Sequence, residues 1–342
     1  PAMSTSKPTN AFSPAPFKPP FWLKNAHLQT ILPRFIAAKA PEYRRELLKD
    51  SLDESEIAYD FYDTNETLTD QGKYQKPLVV LFHGMEGSSD SHYARTLAHA
   101  VQRNDWHFVV VHFRSCGGVP VKGQVFYQAG DTSELEHALQ YLNQQYQTVY
   151  SIGVSLGGNA LAKYMSEYGE GALCQAAVVA SAPVDLISSS QAMERFLGRR
   201  IYTPYLLNPI VSKAIKNNLT EDEIKAIKAT NRISEFDDIF TAPRHGFRSK
   251  NDYYYQASAL PHLIHIAKPT LIISAKDDPF LGATATRGDV SENVTLIDTD
   301  HGGHIGFINY RNRKFDLGWL PSTAMRFFVE ATKTDDDSAA SA

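Results

Sequence analysis

The sequence predicts an α/β fold: a mostly parallel sheet with helices on both faces. Three observations point there. Short continuous runs of β-branched and aromatic residues, such as Leu78-Val-Val-Leu-Phe82 and Phe108-Val-Val-Val111, alternate with amphipathic stretches, and runs of this kind need apolar cover on both faces. Glycine-bearing turns follow several of them, as at His83-Gly84 and around Gly153-Val-Ser-Leu-Gly157. The 342 residues carry 43% hydrophobic and 21% charged side chains, a globular balance with length enough for a sizeable core.

Taken in order, residues 1–20, with Pro8, Pro14, Pro16, Pro19 and Pro20, read as an extended arm without a core of its own. Leu78–Phe82 predicts a strand, Ser91–Arg103 a helix and Trp106–Phe113 the next strand. Asp131–Tyr146 reads as a helix, because Leu135, Ala138, Leu139 and Leu142 recur at helical spacing. Thr148–Val154 and Ala176–Ala180 predict strands on either side of a helix at Leu156–Tyr168. The alternation then breaks over about 184–262, where helix-like patterns prevail; Thr220 and Glu223 are spaced as a capping box. This stretch far exceeds an ordinary connection and reads as a helical cap inserted over the ligand-binding edge of one domain spanning 21–332. Thr270–Ser274 and Val294–Ile297 supply two more strands, Ser322–Thr332 a closing helix, and 333–342 a flexible acidic tail.

Charge and composition exclude several classes. With 34 Lys+Arg against 38 Asp+Glu the net charge is −4, so no basic footprint attracts nucleic acid. The apolar runs fall far short of the roughly 20 residues that cross a bilayer, so no transmembrane segment is expected. The N-terminus has no apolar run typical of a secretory signal. Two cysteines, Cys116 and Cys174, fit a reducing compartment, which makes the cytoplasm the expected location. The sequence carries no signal for oligomeric state.

The chemistry concentrates in Gly153-Val154-Ser155-Leu156-Gly157, between a predicted strand and a predicted helix. A serine at such a turn is lifted above the sheet, and the helix N-terminus favours negative charge beside it. Small residues are required because the backbone must reverse closely; Gly158 and Asn159 are expected to keep the turn uncrowded. A dinucleotide fingerprint fails, since Ser155 stands where the second glycine belongs.

A serine nucleophile needs a base oriented by a third group. Asp277 and Asp278 follow the strand Thr270–Ser274, and His301 and His304 follow Val294–Ile297. Both pairs thus fall at carboxyl ends of parallel strands, where open sheets bind ligands. Either aspartate and either histidine satisfies the spacing. His301-Gly-Gly-His304 also has the look of two metal ligands, but no further cluster completes a shell, and no metal or cofactor is expected. Acyl transfer also needs donors for the developing oxyanion. The backbone N–H of Leu156 and that of Met85, in His83-Gly-Met-Glu-Gly87, are the candidates.

These residues resemble the α/β-hydrolase superfamily, and its YheT-like branch in particular. The resemblance covers most of the chain: Asn25-Ala-His-Leu-Gln-Thr30, His83-Gly-Met-Glu-Gly87, Phe113-Arg-Ser-Cys-Gly-Gly118, Gly153-Val-Ser-Leu-Gly-Gly-Asn159, Phe236-Asp-Asp238, His245-Gly-Phe247, Asp277-Asp-Pro-Phe280 and His301-Gly-Gly-His-Ile-Gly-Phe307. It implies that the acid is the aspartate preceding proline, Asp278, and that the base is the histidine of Gly-Gly-His, His304. The family's Asn-Phe-Arg-Gly-Cys segment stands here as His112-Phe-Arg-Ser-Cys116, a departure confined to packing. The implied activity is a carboxylic ester hydrolase, a serine esterase acting on a small-molecule ester through an acyl-enzyme. Two alternatives stand beside it: an alcohol acyltransferase of short- or medium-chain esters, suggested by eukaryotic relatives, and a non-catalytic binding protein on the same fold. The aromatic residues Tyr202, Tyr205, Phe240, Phe247 and Tyr253–Tyr255 suggest an apolar acyl pocket, beside the commoner role of such stretches as core.

Overall fold

The computed structural model describes residues 12–340 apart from 69, 71, 196 and 197, so the first eleven residues of the N-terminal arm lie outside the described residues. Eight strands form the main sheet: β1 (Arg44–Lys49), β2 (Glu56–Tyr62), β3 (Leu78–Phe82), β4 (His107–Val111), β5 (Val149–Val154), β6 (Ala176–Ala180), β7 (Thr270–Ala275) and β8 (Val294–Thr299). Their order is β1-β2-β4-β3-β5-β6-β7-β8. β2 runs antiparallel to both neighbours, and β4 through β8 pair in parallel. This is the mostly parallel, helix-flanked sheet that the apolar runs predict.

The period of two along each strand divides the core. Val80 and Phe82 face a layer containing Leu139, Leu161 and Met165. Val79 and Leu81 face the opposite layer, with Leu97, Trp319 and Phe328. Register brings the strand ends level: Phe82 pairs with Gly153, Val154 with Ala180, and Ala180 with Ile273. The loops after β3, β5 and β7 therefore leave the sheet at one edge, where β8, paired with β7 through Thr299, also ends.

The apolar runs do not announce β1 and β2. β1 is Arg-Arg-Glu-Leu-Leu-Lys on the sheet margin, largely exposed, and a charged edge strand discourages further pairing while hiding the pattern of a buried run. Between β6 and β7 the described residues are helical, including Leu186–Met193, Thr203–Ala214, Glu221–Lys228 and Lys250–Ala257. The capping box at Thr220 forms, its side chain accepting from the Glu223 N–H while Glu223 reaches back to the Thr220 N–H. The closing helix starts at Trp319 and is assigned through Ala340, running into the stretch that reads as a tail. Phe17 packs edge-on to Phe307, and Trp319 Nε1 donates to the Ala15 carbonyl at 2.7 Å, so the extended segment before Pro20 lies across this helix. Among the described residues no helix is long and apolar enough to cross a membrane.

Candidate active site

Ser155 stands between β5 and the helix Leu156–Tyr168 with φ 55° and ψ −121°, a left-handed geometry that non-glycine residues rarely hold. The surrounding glycines are there for space. A Cβ at Gly157 would lie 2.3 Å from the Phe82 carbonyl oxygen and 2.4 Å from that of His83. One at Gly153 would lie 2.5 Å from the Gly157 carbonyl oxygen. The serine turn is thus pressed against the end of β3, and no side chain larger than hydrogen fits between them.

Asn159 does more than keep the turn uncrowded. Fully buried, it donates through Nδ2 to the carbonyls of Ala129 (2.9 Å) and Ala257 (2.8 Å) and accepts from the Ala259 N–H at 2.9 Å. Three backbone groups from two distant segments are tied by one amide to the first turn of the serine helix.

The two Asp–His pairs separate by geometry. His304 Nε2 is 3.0 Å from Ser155 Oγ, and its Nδ1 is 2.8 Å from Asp278 Oδ2. Asp277 instead accepts from the Gly303 N–H at 2.8 Å and faces His301 Nδ1 at 3.6 Å. Each imidazole faces its own aspartate, and one of the two also faces the hydroxyl. Burial raises the Asp278 carboxyl above the usual carboxylate range, while the facing imidazole and the Phe280 N–H (2.8 Å) oppose that rise. Phe280 also stacks on the His304 ring, centroids 4.1 Å apart.

The His304 loop is held from the N-terminal motif, a role that spacing alone does not assign. Asn25 caps the helix Ala26–Ile31 by accepting from the N–H groups of His27 and Leu28. That helix presents Thr30, whose Oγ1 accepts from the His304 N–H at 2.9 Å and donates to the Ala26 carbonyl. Gln29, fully buried, donates to the Ile308 carbonyl at 3.0 Å and accepts from the Ile308 N–H at 2.7 Å. Contact is so close that a Cβ at Gly306 would meet the Gln29 carbonyl oxygen at 2.1 Å. The legible signal is a polar motif far upstream of Ser155, Asp278 and His304; only the fold shows what it grips.

The loop after β3 passes beside the serine, a Cβ at Gly84 falling 3.1 Å from Ser155 Cβ. The Gly84 N–H is committed to the Tyr93 hydroxyl at 2.8 Å. His83 is fully buried; Nδ1 bonds the Gly84 carbonyl, Nε2 accepts from the Phe113 N–H, and burial holds its pKa down at about 3. It is a neutral lock on the loop. Glu86, at φ 56°, accepts from the Tyr127 hydroxyl and pairs with Lys213 of the helix Thr203–Ala214. Met85, between Gly84 and Glu86, is therefore fixed from both sides.

Two cavities meet at Ser155. The inner one, on the side of the β6–β7 helices, spans about 960 Å³ including its opening and is lined by Leu156, Leu186, Met193, Ile210 and Tyr254. The outer one, about 1390 Å³ including its opening, is bordered by Gly84, Tyr202, Tyr205, His304 and Ile305. Met85, Ser155, Leu206 and Phe280 border both. Of the aromatic residues expected to form a pocket, Tyr253 and Tyr254 line the inner cavity and Tyr202 and Tyr205 the outer. Phe240 packs edge-on to Phe126, Phe247 stacks on Tyr253, and Tyr255 is exposed.

The family model described as alpha/beta hydrolase fold matches residues 77–309, and the chain belongs to that family. Within it, the chain is 38% identical over 320 residues to YheT of Escherichia coli (strain K12), covering 90% of this chain and 92% of that protein. It is 29% identical to Phospholipase ABHD3 of Mus musculus, covering 85% of this chain and 73% of that protein. Among solved structures, an esterase of Pyrococcus furiosus, Pf2001, superposes with a TM-score of 0.51 at 18% identity, over 77% of this chain and 83% of that one. That likeness is one of fold.

Proposed function

We propose that the protein is a serine hydrolase of carboxylic esters that works through an acyl-enzyme. The observation that carries the reading is the contact of Ser155 Oγ with His304 Nε2 at 3.0 Å, while His304 Nδ1 holds Asp278 at 2.8 Å. Ser155 attacks the ester carbonyl as His304 takes its proton; Asp278 fixes the imidazole's tautomer and stabilises its charge. The tetrahedral oxyanion is received by the N–H groups of Leu156 and Met85. Leu156 opens its helix, so its N–H has no intrahelical acceptor. Met85 follows a glycine whose own N–H is spent on Tyr93. His304 then protonates the leaving alcohol and activates the water that releases the acid.

Relatives bearing esterase and phospholipase names support the ester bond as the target. The helices between β6 and β7 act as a cap, supplying most of the inner cavity's lining. Both cysteines are free and buried, in keeping with a cytoplasmic setting. The test is hydrolysis of p-nitrophenyl esters of graded acyl length, by wild type and by Ser155→Ala. Turnover confined to the wild type supports the reading, and turnover surviving the substitution refutes the nucleophile.

A further inference from the structure

His304 borders the outer cavity and is absent from the lining of the inner one. On the ester reading above, the imidazole must deliver its proton to the leaving oxygen, so the alcohol part departs through the outer cavity and the acyl part occupies the inner one. The outer wall carries two arginines. Arg34 and Arg95 both border it, with the Arg34 guanidinium 4.2 Å over the Tyr205 ring. Arg95 donates from Nη2 to the Arg34 carbonyl at 3.3 Å, and its buried Nε has no hydrogen-bond partner. Neither guanidinium forms an ion pair among the described residues.

The other charged groups on this wall leave that pair uncompensated in part. Glu86 is taken by Lys213, and Asp90 is exposed. His92, near both arginines and His304, is held at about 3 by burial and by those charges, so it stays neutral. A guanidinium fork matches the oxygens of a phosphate or carboxylate.

We propose that Arg34 and Arg95 bind an anionic group, phosphate or carboxylate, on the alcohol part of the ester, so that the preferred substrates are acyl esters of acidic alcohols. The test compares kcat/KM for three hexanoyl esters below micelle-forming concentration: 1-hexanoylglycerol, its 3-phosphate, and the hexanoyl ester of 4-hydroxybutyrate. Wild type is expected to favour an anionic ester about tenfold or more over the neutral one, the scale of a charge-assisted hydrogen bond. The preference falls as sodium chloride rises. Which anion gains more separates phosphate from carboxylate. In Arg34→Gln, whose native side chain is exposed, the ratio falls toward one, and it falls further in Arg34→Gln/Arg95→Gln. Each ratio is internal to its own variant, so a partial loss of folded protein does not mimic the effect. Equal turnover of neutral and anionic esters by wild type overturns this inference while leaving the ester reading intact; a preference that survives the double substitution does the same. Failure of all three esters to turn over, with no reaction of Ser155 toward a fluorophosphonate, removes both.

Discussion

At the level of single residues, two aspartate–histidine pairs lie side by side and one of them faces a hydroxyl. His304→Ala is expected to lower ester turnover by on the order of 10⁴-fold, and Asp278→Asn by a comparable factor, because each leaves the serine without a correctly held base. His301→Ala and Asp277→Asn are expected to retain much of the activity, since their 3.6 Å pairing shapes the loop without touching Ser155. Initial rates on one p-nitrophenyl ester check all four, and the reversed pattern would exchange the two pairs. Thr30→Val belongs to the same scale. It removes the acceptor of the His304 N–H and leaves a partly buried donor unpaired, a loss of about 1–3 kcal/mol that urea unfolding would read.

Among the elements, the central strands were legible because their burial on both faces leaves unbroken apolar runs: β3 and β6 fall on the bounds that the sequence predicts. The serine turn was legible for a related reason, since glycine spacing records a steric collision. Contact between distant segments was not. That Thr30 would grip His304 across 274 positions, or that Lys213 would reach Glu86 from the β6–β7 helices, depends on tertiary approach and leaves no local period. The doubled Asp and His also stayed ambiguous by spacing alone, because neighbours in a loop differ in direction, and direction is set by packing.

The Lys213–Glu86 contact makes its own prediction. It ties the loop carrying Met85 to the helices over the cavity, so Lys213→Ala is expected to lower kcat roughly tenfold to hundredfold through a displaced oxyanion donor, with Lys213→Arg restoring most of it. A change in KM alone, with kcat intact, would place Lys213 in substrate binding instead.

For the whole molecule, the buried Arg114 gathers Asp50, Asp131 and Glu134, three carboxylates around one cation. Burial raises the Asp131 pKa to about 7, against the pull of Arg114. A carboxyl whose folded pKa lies above its unfolded value binds protons more tightly in the native state. Stability therefore falls as pH climbs from about 4 to about 7, and the penalty persists above that. Asp131→Asn is expected to narrow the difference in urea midpoint between pH 5 and pH 8, and an unchanged difference would show that this carboxyl does not set it.

Four strand ends deliver their loops to one edge, and on the proposed function this arrangement is what makes Ser155 reactive. The measurement that tests it most directly is the mass and position of the adduct left by a fluorophosphonate on the intact protein. With Ser155 as the nucleophile, one adduct is expected, on Ser155, absent from Ser155→Ala and formed far more slowly by His304→Ala. An adduct on any other residue, or labelling that persists unchanged when the Ser155 hydroxyl is removed, would contradict it.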